Sequence, residues 1–258
     1  MPSLGRKINM RKISLILLLI VAFLIALSIQ VPAQFFNVLL DQYFEQKVTL
    51  VDPEGSLWHG NASLVLNDTQ SHRSVILGKV AWDMQVLQLL TGKLALNMTW
   101  NEDPPFWLTI DTSRFHIEHA KFNVPGQVAQ FLVPAIGAAE LGGLISVHAE
   151  NFSLTKTQML GNFEMRWNHV TSPLSPINPL GNYTASFESE GDQIKVILKT
   201  QSTGPLMLQG GGQGGMHQPW HFEGSANTVP DKQAQLQQVL QLLGNEISTG
   251  SGVYRIGI

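Results

Sequence analysis

The sequence predicts a mainly β fold, a single N-terminal transmembrane helix followed by a strongly curved antiparallel β-sheet or incomplete barrel with one or two short helices. Three observations predict it. One apolar run near the N-terminus carries no charge and comes directly after a basic cluster. Beyond it, apolar and polar residues alternate with period two in phrase after phrase, most of them opening on glycine. The segments between the phrases are rich in proline and glycine.

The N-terminal segment comes first. Arg6, Lys7, Arg11 and Lys12 precede the stretch Ile13 to Ile29, and the next charge after Lys12 is Asp41. At ~1.5 Å per residue the stretch spans roughly 25 Å, near the lower limit for a ~30 Å hydrocarbon core, and Val31 to Phe36 can extend it. The positive-inside rule then puts residues 1–12 in the cytoplasm and the remaining chain across the membrane. The competing reading is a cleavable signal peptide, with Val31-Pro32-Ala33 or Ala26-Leu27-Ser28 as the cleavage site. The apolar run exceeds the usual h-region of about 7–15 residues, which favours a retained anchor over residues 13–31. Either reading exports the same two parts of the chain: a connecting segment, 32–50, and a β-rich domain, 51–258, beyond the membrane.

Composition narrows the chemistry. With no cysteine in 258 residues, disulfides, thiolate metal sites, a Cys nucleophile and a lipid-modified N-terminal Cys are all excluded. A hydrophobic content of 44% supports a substantial core. With the four N-terminal cations set aside, 12 Lys and Arg face 19 Asp and Glu, a balance of −7, and the remaining cations are scattered singly. Nucleic acid is therefore not an expected partner.

The strand phrases come next, in chain order. From Trp58, the residues Trp58, Gly60, Ala62, Leu64 and Leu66 fall on one face, against His59, Asn61 and Ser63 on the other. The pattern returns at Gly78, Val80, Trp82, Met84, and at Gly92, Leu94, Leu96, Met98, Trp100. It returns again at Gly143, Ile145, Val147, Ala149, at Gly161, Phe163, Met165, Trp167, and at Gly181, Tyr183, Ala185, Phe187. Less regular strands fit Phe106–Ile110, Phe115–Phe122, Ile194–Lys199, Leu206–Leu208, Trp220–Glu223 and Val253–Ile258. Asp103-Pro104-Pro105, the Pro173/Pro176/Pro179 stretch and the glycine run 210–215 read as connectors, the last as a hairpin tip. Pro230–Leu243 reads as a helix with Leu236, Val239, Leu240 and Leu243 on one side and Gly244 as its stop, and a shorter helix fits near Gly126–Val133. Two helices cannot cover so many strands, so the apolar face has to curl onto itself, meet a second sheet or hold an apolar ligand. The segments from Gly78 and from Gly161 share the order strand, aromatic, Leu/Pro connector, glycine, strand, which raises an internal duplication.

Chemistry finds little to hold. Of eight histidines, His116 and His119 are three apart and point to opposite faces of a strand, while His217 and His221 are four apart around Trp220. Neither pair has the carboxylate or thiolate company of a metal signature. His59 falls on the polar register beside Trp58, which reads as a core residue. There is no G-x-S-x-G, and the glycine run lacks the Lys-Ser/Thr that completes a phosphate loop. Glu188, Glu190 and Asp192 read as a solvated loop. Of the N-x-S/T triplets at Asn61, Asn67, Asn97, Asn151 and Asn182, four lie within or beside strands rich in Asn, Ser and Thr on their outer face. No catalytic, cofactor or metal residue is expected, and no enzyme.

The phrase "VDPEGSLWHGNA" resembles the G-x-L-W-x-G-x-A signature of type II secretion system protein N, carried here by Gly55, Leu57, Trp58, Gly60 and Ala62. The resemblance continues through "GKVAWDM", "LLTGKLAL", "LGNFEMRW", "LGNYTASF", "TGPLMLQGGGQ" and "QLQQVLQLLG". It implies a single-pass inner-membrane accessory component of the Gram-negative machinery that moves folded proteins out of the periplasm. Other secretion components and the inner membrane are then its partners, with no catalysis. Similar glycine–tryptophan β phrases occur in AsmA-like proteins, so the alternative is a lipid-binding or lipid-transfer module that uses the apolar face of the sheet.

Overall fold

The computed structural model describes residues 15, 18, 19, 31–68, 73–132, 134–215, 218–248 and 251–257. Most of the expected anchor therefore lies outside the described residues, and among those described no helix is long and apolar enough to cross a membrane.

The strands form one antiparallel sheet of fourteen in near-sequential order. The first seven are β1 (Val48–Gly55), β2 (His59–Asp68), β3 (Arg73–Met84), β4 (Leu94–Trp100), β5 (Phe106–Ile110), β6 (Arg114–Pro125) and β7 (Leu144–Thr155). The other seven are β8 (Met159–Val170), β9 (Gly181–Glu190), β10 (Gln193–Thr200), β11 (Leu206–Gly215), β12 (His221–Thr228), β13 (Asn245–Glu246) and β14 (Val253–Gly257). Order and sequence part only at the last place, where β14 pairs with β12 and the two-residue β13 lies outside it. The first and last strands do not pair, so the sheet is open. Short connections between successive strands dictate this meander, since antiparallel neighbours need only a turn.

Helices are few and short: α1 (Phe35–Phe44), α2 (Val86–Leu89), α3 (Ala129–Leu132) and α4 (Gln233–Leu243), with 3-10 turns at Gly126–Val128, Pro134–Ala139 and Pro230–Lys232. The turn between β1 and β2 and the loop between β3 and β4 leave the sheet at one end, here the entry end. Segment 126–143 and α4 lie at the opposite end, because strands alternate in direction.

The period-two reading holds for which side is buried. Ala62, Val80, Trp82, Met84, Leu96, Trp100, Phe106, Ala120, Val124, Ile145 and Ala149 form one cluster over β1 to β8, and β3 approaches β6 across it though the two are not sheet neighbours. A second cluster joins Tyr183, Leu206, Ala226 and Tyr254 to Leu236, Val239 and Leu240 of α4, and Trp167 packs against both. The Trp100 indole N–H reaches past a sheet neighbour, donating from β4 to the Asn123 carbonyl of β6 at 2.7 Å, and that of Trp167 donates to the Gly142 carbonyl, just ahead of the paired β7, at 2.9 Å.

The structure differs from the sequence reading in four places. Segment 32–50 is more than a connector: it holds α1, and β1 begins at Val48, not 51. Its signal is hidden because α1 continues the apolar composition of the preceding run and β1 is interrupted by Asp52-Pro53, where its register with β2 shifts. β2 begins at His59, so Trp58 sits in the bend before it and not in the strand. Gly210 to Gly215 are not a hairpin tip but the second half of β11, paired with β10 throughout and with β12 as far as Gln213. A Cβ at Gly210 or Gly214 would come within 2.7 Å of the Phe222 ring or 2.6 Å of the Trp220 ring, so these aromatic side chains take the room that side chains would fill. Glu188 and Glu190 lie on β9, leaving only Asp192 in the turn beyond it.

α4 is the one helix of length that seals the second cluster. Leu236→Ala or Leu240→Ala should therefore cost about 2–5 kcal/mol, whereas Gln237→Ala and Gln238→Ala on its exposed side should stay within ~0.5 kcal/mol, read by chemical denaturation.

Candidate functional site

The signature residues build a tight turn at the entry end. Gly55 and Gly60 face each other as the last pair of the β1–β2 ladder. Gly55 takes φ +86°, and a Cβ there would stand 2.6 Å from the His59 carbonyl oxygen. A Cβ on Gly60 would meet the Glu54 carbonyl oxygen at 2.4 Å and the Trp82 ring at 2.8 Å. Both positions thus require glycine, the first for its left-handed backbone and the second for contact with an indole. Ser56 closes the turn, donating its N–H to the His59 carbonyl at 2.8 Å and accepting the N–H groups of Trp58 and His59 on its hydroxyl.

Trp82, not Trp58, is the buried indole here. It is 6% exposed, donates its N–H to the Leu57 carbonyl at 3.2 Å, and meets the Phe36 ring edge-on with centroids 5.0 Å apart. Trp58 is half-buried at the rim of the same cluster, and its carbonyl accepts the Met84 N–H at 2.6 Å. Leu57 packs on the cluster and Ala62 is buried within it. His59 faces solvent, as its register requires.

The turn receives the chain from the N-terminal segment. The Leu57 N–H donates to the Val31 carbonyl at 2.8 Å, Pro32 bridges to Ser56, the Ala33 N–H donates to the Gly55 carbonyl at 3.2 Å, and Ala33 is 1% exposed. α1 then runs along β1. Its Asn37 carboxamide accepts the Leu50 N–H at 2.8 Å and donates to the Leu50 carbonyl at 2.9 Å, standing in for a neighbouring strand and blunting the edge. Phe36 and Leu40 pack inward while Phe35, Val38, Leu39 and Tyr43 stay exposed. Sequence reasoning missed Phe36, Asn37 and Trp82 as parts of this site. Only the alternation through Val80, Trp82 and Met84 carried a signal, and it reports burial without naming the partner.

Polar chemistry remains dispersed. His116 is half-buried and Nε2 lies 2.9 Å from Glu118 Oε1, while His119 is exposed at φ 55°. His221 pairs with Glu223 at 3.6 Å on the surface, and His217 lies outside the described residues. Among the described residues no three His, Asp or Glu converge as a metal site. Asp111 is held below the usual carboxylate range by hydrogen bonds from the Ser113 backbone and hydroxyl, with the Arg114 N–H adding to them, which organises the β5–β6 turn.

In the second half, the sheet and α4 flank an apolar pocket, partly open to solvent, of about 620 Å³, lined among others by Trp167, Tyr183, Phe187, Leu198, Val239 and Leu243. The Tyr183 hydroxyl, the one titratable group among the described lining residues, donates to the Leu206 carbonyl at 2.9 Å, and burial raises its pKa.

The type II secretion system (T2SS), protein N, family model matches residues 46–256. No curated protein and no solved structure matches the chain.

This geometry sets two expected outcomes. Trp82→Ala should cost on the order of 3–5 kcal/mol and loosen the β1–β2 turn, while His59→Ala should change stability by roughly 0.5 kcal/mol or less, both by thermal melting. Because the folded pKa of Tyr183 is raised, the stability this group lends is complete below the unfolded value of about 10 and falls as pH rises toward the folded one. Denaturation midpoints should therefore drop more in strong base for the parent chain than for Tyr183→Phe.

Proposed function

The chain belongs to the type II secretion system protein N family, and from that membership we propose that it is an inner-membrane-anchored accessory component of this machinery. In this reading residues 13–31 span the inner membrane, residues 1–12 lie in the cytoplasm and the β-rich domain works in the periplasm, where it contacts other secretion components while folded proteins cross the outer membrane. The single observation that carries the reading is the family match over residues 46–256. The basic cluster before an uncharged apolar run supports the topology, and the seating of Val31 to Ala33 on the signature turn supports a short, firm junction between anchor and domain.

We read the sheet as strongly curved over its apolar face, supported by the approach of β3 to β6. The exposed apolar side of α1 is the surface we assign to protein contacts, and no catalytic step is assigned. An internal duplication is supported by a shared device: Trp82 and Trp167 each sit near the end of the second strand of a hairpin and each donate to a carbonyl just ahead of the first.

A second reading has its own observation. The cavity beneath α4 is apolar and its phenol is already paired, so it suits a hydrocarbon chain and supports a lipid-binding module of the AsmA-like kind. Native mass spectrometry of the full-length protein should then retain one phospholipid that Val239→Trp expels.

For the leading reading, deleting the gene should lower secretion of type II substrates and leave export into the periplasm intact. A photo-crosslinker at Val38 or Tyr43 should capture other type II components. Unchanged secretion of every substrate would overturn it.

A further inference from the structure

We propose that the β3–β4 loop, residues 85–93, is a second membrane contact, inserting Leu87 and Leu90 into the bilayer that the N-terminal segment enters. The inference rests on the reading of residues 13–31 as a retained anchor. It concerns a surface that the anchor itself does not provide.

The loop carries the most exposed apolar side chains among the described residues. Leu87 is 79% and Leu90 85% exposed, with Val86 and Leu89 also on the surface. Leu87 and Leu90 are three apart, on α2 and at its C-terminal cap, and so share a face. Scattered exposed leucines are ordinary, but a contiguous apolar knob on a loop marks a contact with something apolar. Residues 85–93 contain no acid, and the one charge is Lys93 at the base, where an ammonium can reach lipid phosphates.

Several of the loop's backbone groups are satisfied from within, which lowers the cost of approaching hydrocarbon. The Gln88 N–H donates to the Gln85 carbonyl, Leu90 to Leu87, Thr91 to Gln88, and Gly92 to Leu89, all at 3.0 or 3.3 Å. The Thr91 hydroxyl donates to the Gln88 carbonyl at 2.8 Å, and the Gln85 and Gln88 carboxamides bond each other. These polar groups are thus spent on one another, leaving the leucines outward.

Position identifies the occupant. The β1–β2 turn and the β3–β4 loop are consecutive at the entry end, two strand spacings or about 10 Å apart, and the Trp58 carbonyl to Met84 N–H bond ties them. Val31 is bonded to that turn, and Ile29, the end of the apolar stretch, lies two residues before it, a reach of about 7 Å at most. A bilayer containing residues 13–29 therefore has its surface at the entry end, beside Leu87 and Leu90.

The chain has no cysteine, so single-cysteine labels report one place each. Full-length Leu19→Cys, Leu87→Cys, Leu90→Cys and Ser202→Cys, the last at the opposite end of the sheet, would carry a polarity-sensitive fluorophore. Each is reconstituted in vesicles of phosphatidylethanolamine and phosphatidylglycerol containing a spin-labelled lipid. The expected result is blue-shifted emission and several-fold stronger lipid quenching at 87 and 90 than at 202, unchanged as protein is diluted in lipid. Labels at 87 and 90 that behave like 202, while 19 is quenched, would overturn the loop contact and leave the anchor standing. A blue shift without lipid quenching, or one lost on dilution, would assign the knob to a protein partner or a second copy and equally overturn it. An unquenched label at 19 removes the anchor and the inference with it.

Discussion

Strands that are apolar on one side only must turn that side away from water, and this protein has to do so across a fourteen-stranded sheet with four short helices among the described residues. At about 25 cal/mol per Å² of apolar surface, leaving such a face wet would remove the main term that opposes chain entropy. The sheet meets the demand chiefly with itself. Side chains from β1 to β8 pack into one cluster, α4 closes a second over the later strands, and Trp167 touches both. Everything else in the molecule is arranged around keeping that face covered and its edges quiet.

The first edge illustrates the point. An unpaired outer strand offers its backbone to any passing chain, and β1 is such a strand. α1 lies against it, with the Asn37 carboxamide taking both backbone groups of Leu50 and Phe36 reaching across to Trp82. The segment arriving from the N-terminus, the first strand and the signature turn are therefore one packed unit. The glycines of the signature are explained by that unit: one adopts a backbone that side chains resist, the other leaves space for the Trp82 ring. The second half of β11 uses glycine differently, yielding room to the rings of Phe222 and Trp220 while keeping its ladder with β10 complete.

The same arrangement separates two kinds of surface. The polar registers carry histidines and carboxylates singly or in pairs, and among the described residues no three converge as a metal site. Apolar exposure is instead concentrated on α1 and the β3–β4 loop, beside the point where the N-terminal segment meets the sheet. A family of type II secretion components is the context in which the chain stands.

Alternation along a strand is a local property, because the pleat sends successive side chains to opposite faces, and so the buried sides of β2, β3, β4, β7, β8 and β9 were legible from sequence. The α4 stripe and its Gly244 stop were legible for the same reason. The signature residues pointed to the family without their partners being visible. Pairing is not local, and there the tertiary structure decided. It placed Trp58 in a bend at the rim and made Trp82 the buried indole, since which tryptophan is covered depends on α1 arriving from elsewhere in the chain. It drew β1 through Asp52-Pro53, where an irregular register tolerates residues that strands usually avoid. It kept the glycine run in register because flanking strands supply the hydrogen bonds and neighbouring rings the volume that glycine lacks. The order of apolar and polar residues determines which faces avoid water; only the folded chain determines what each face meets.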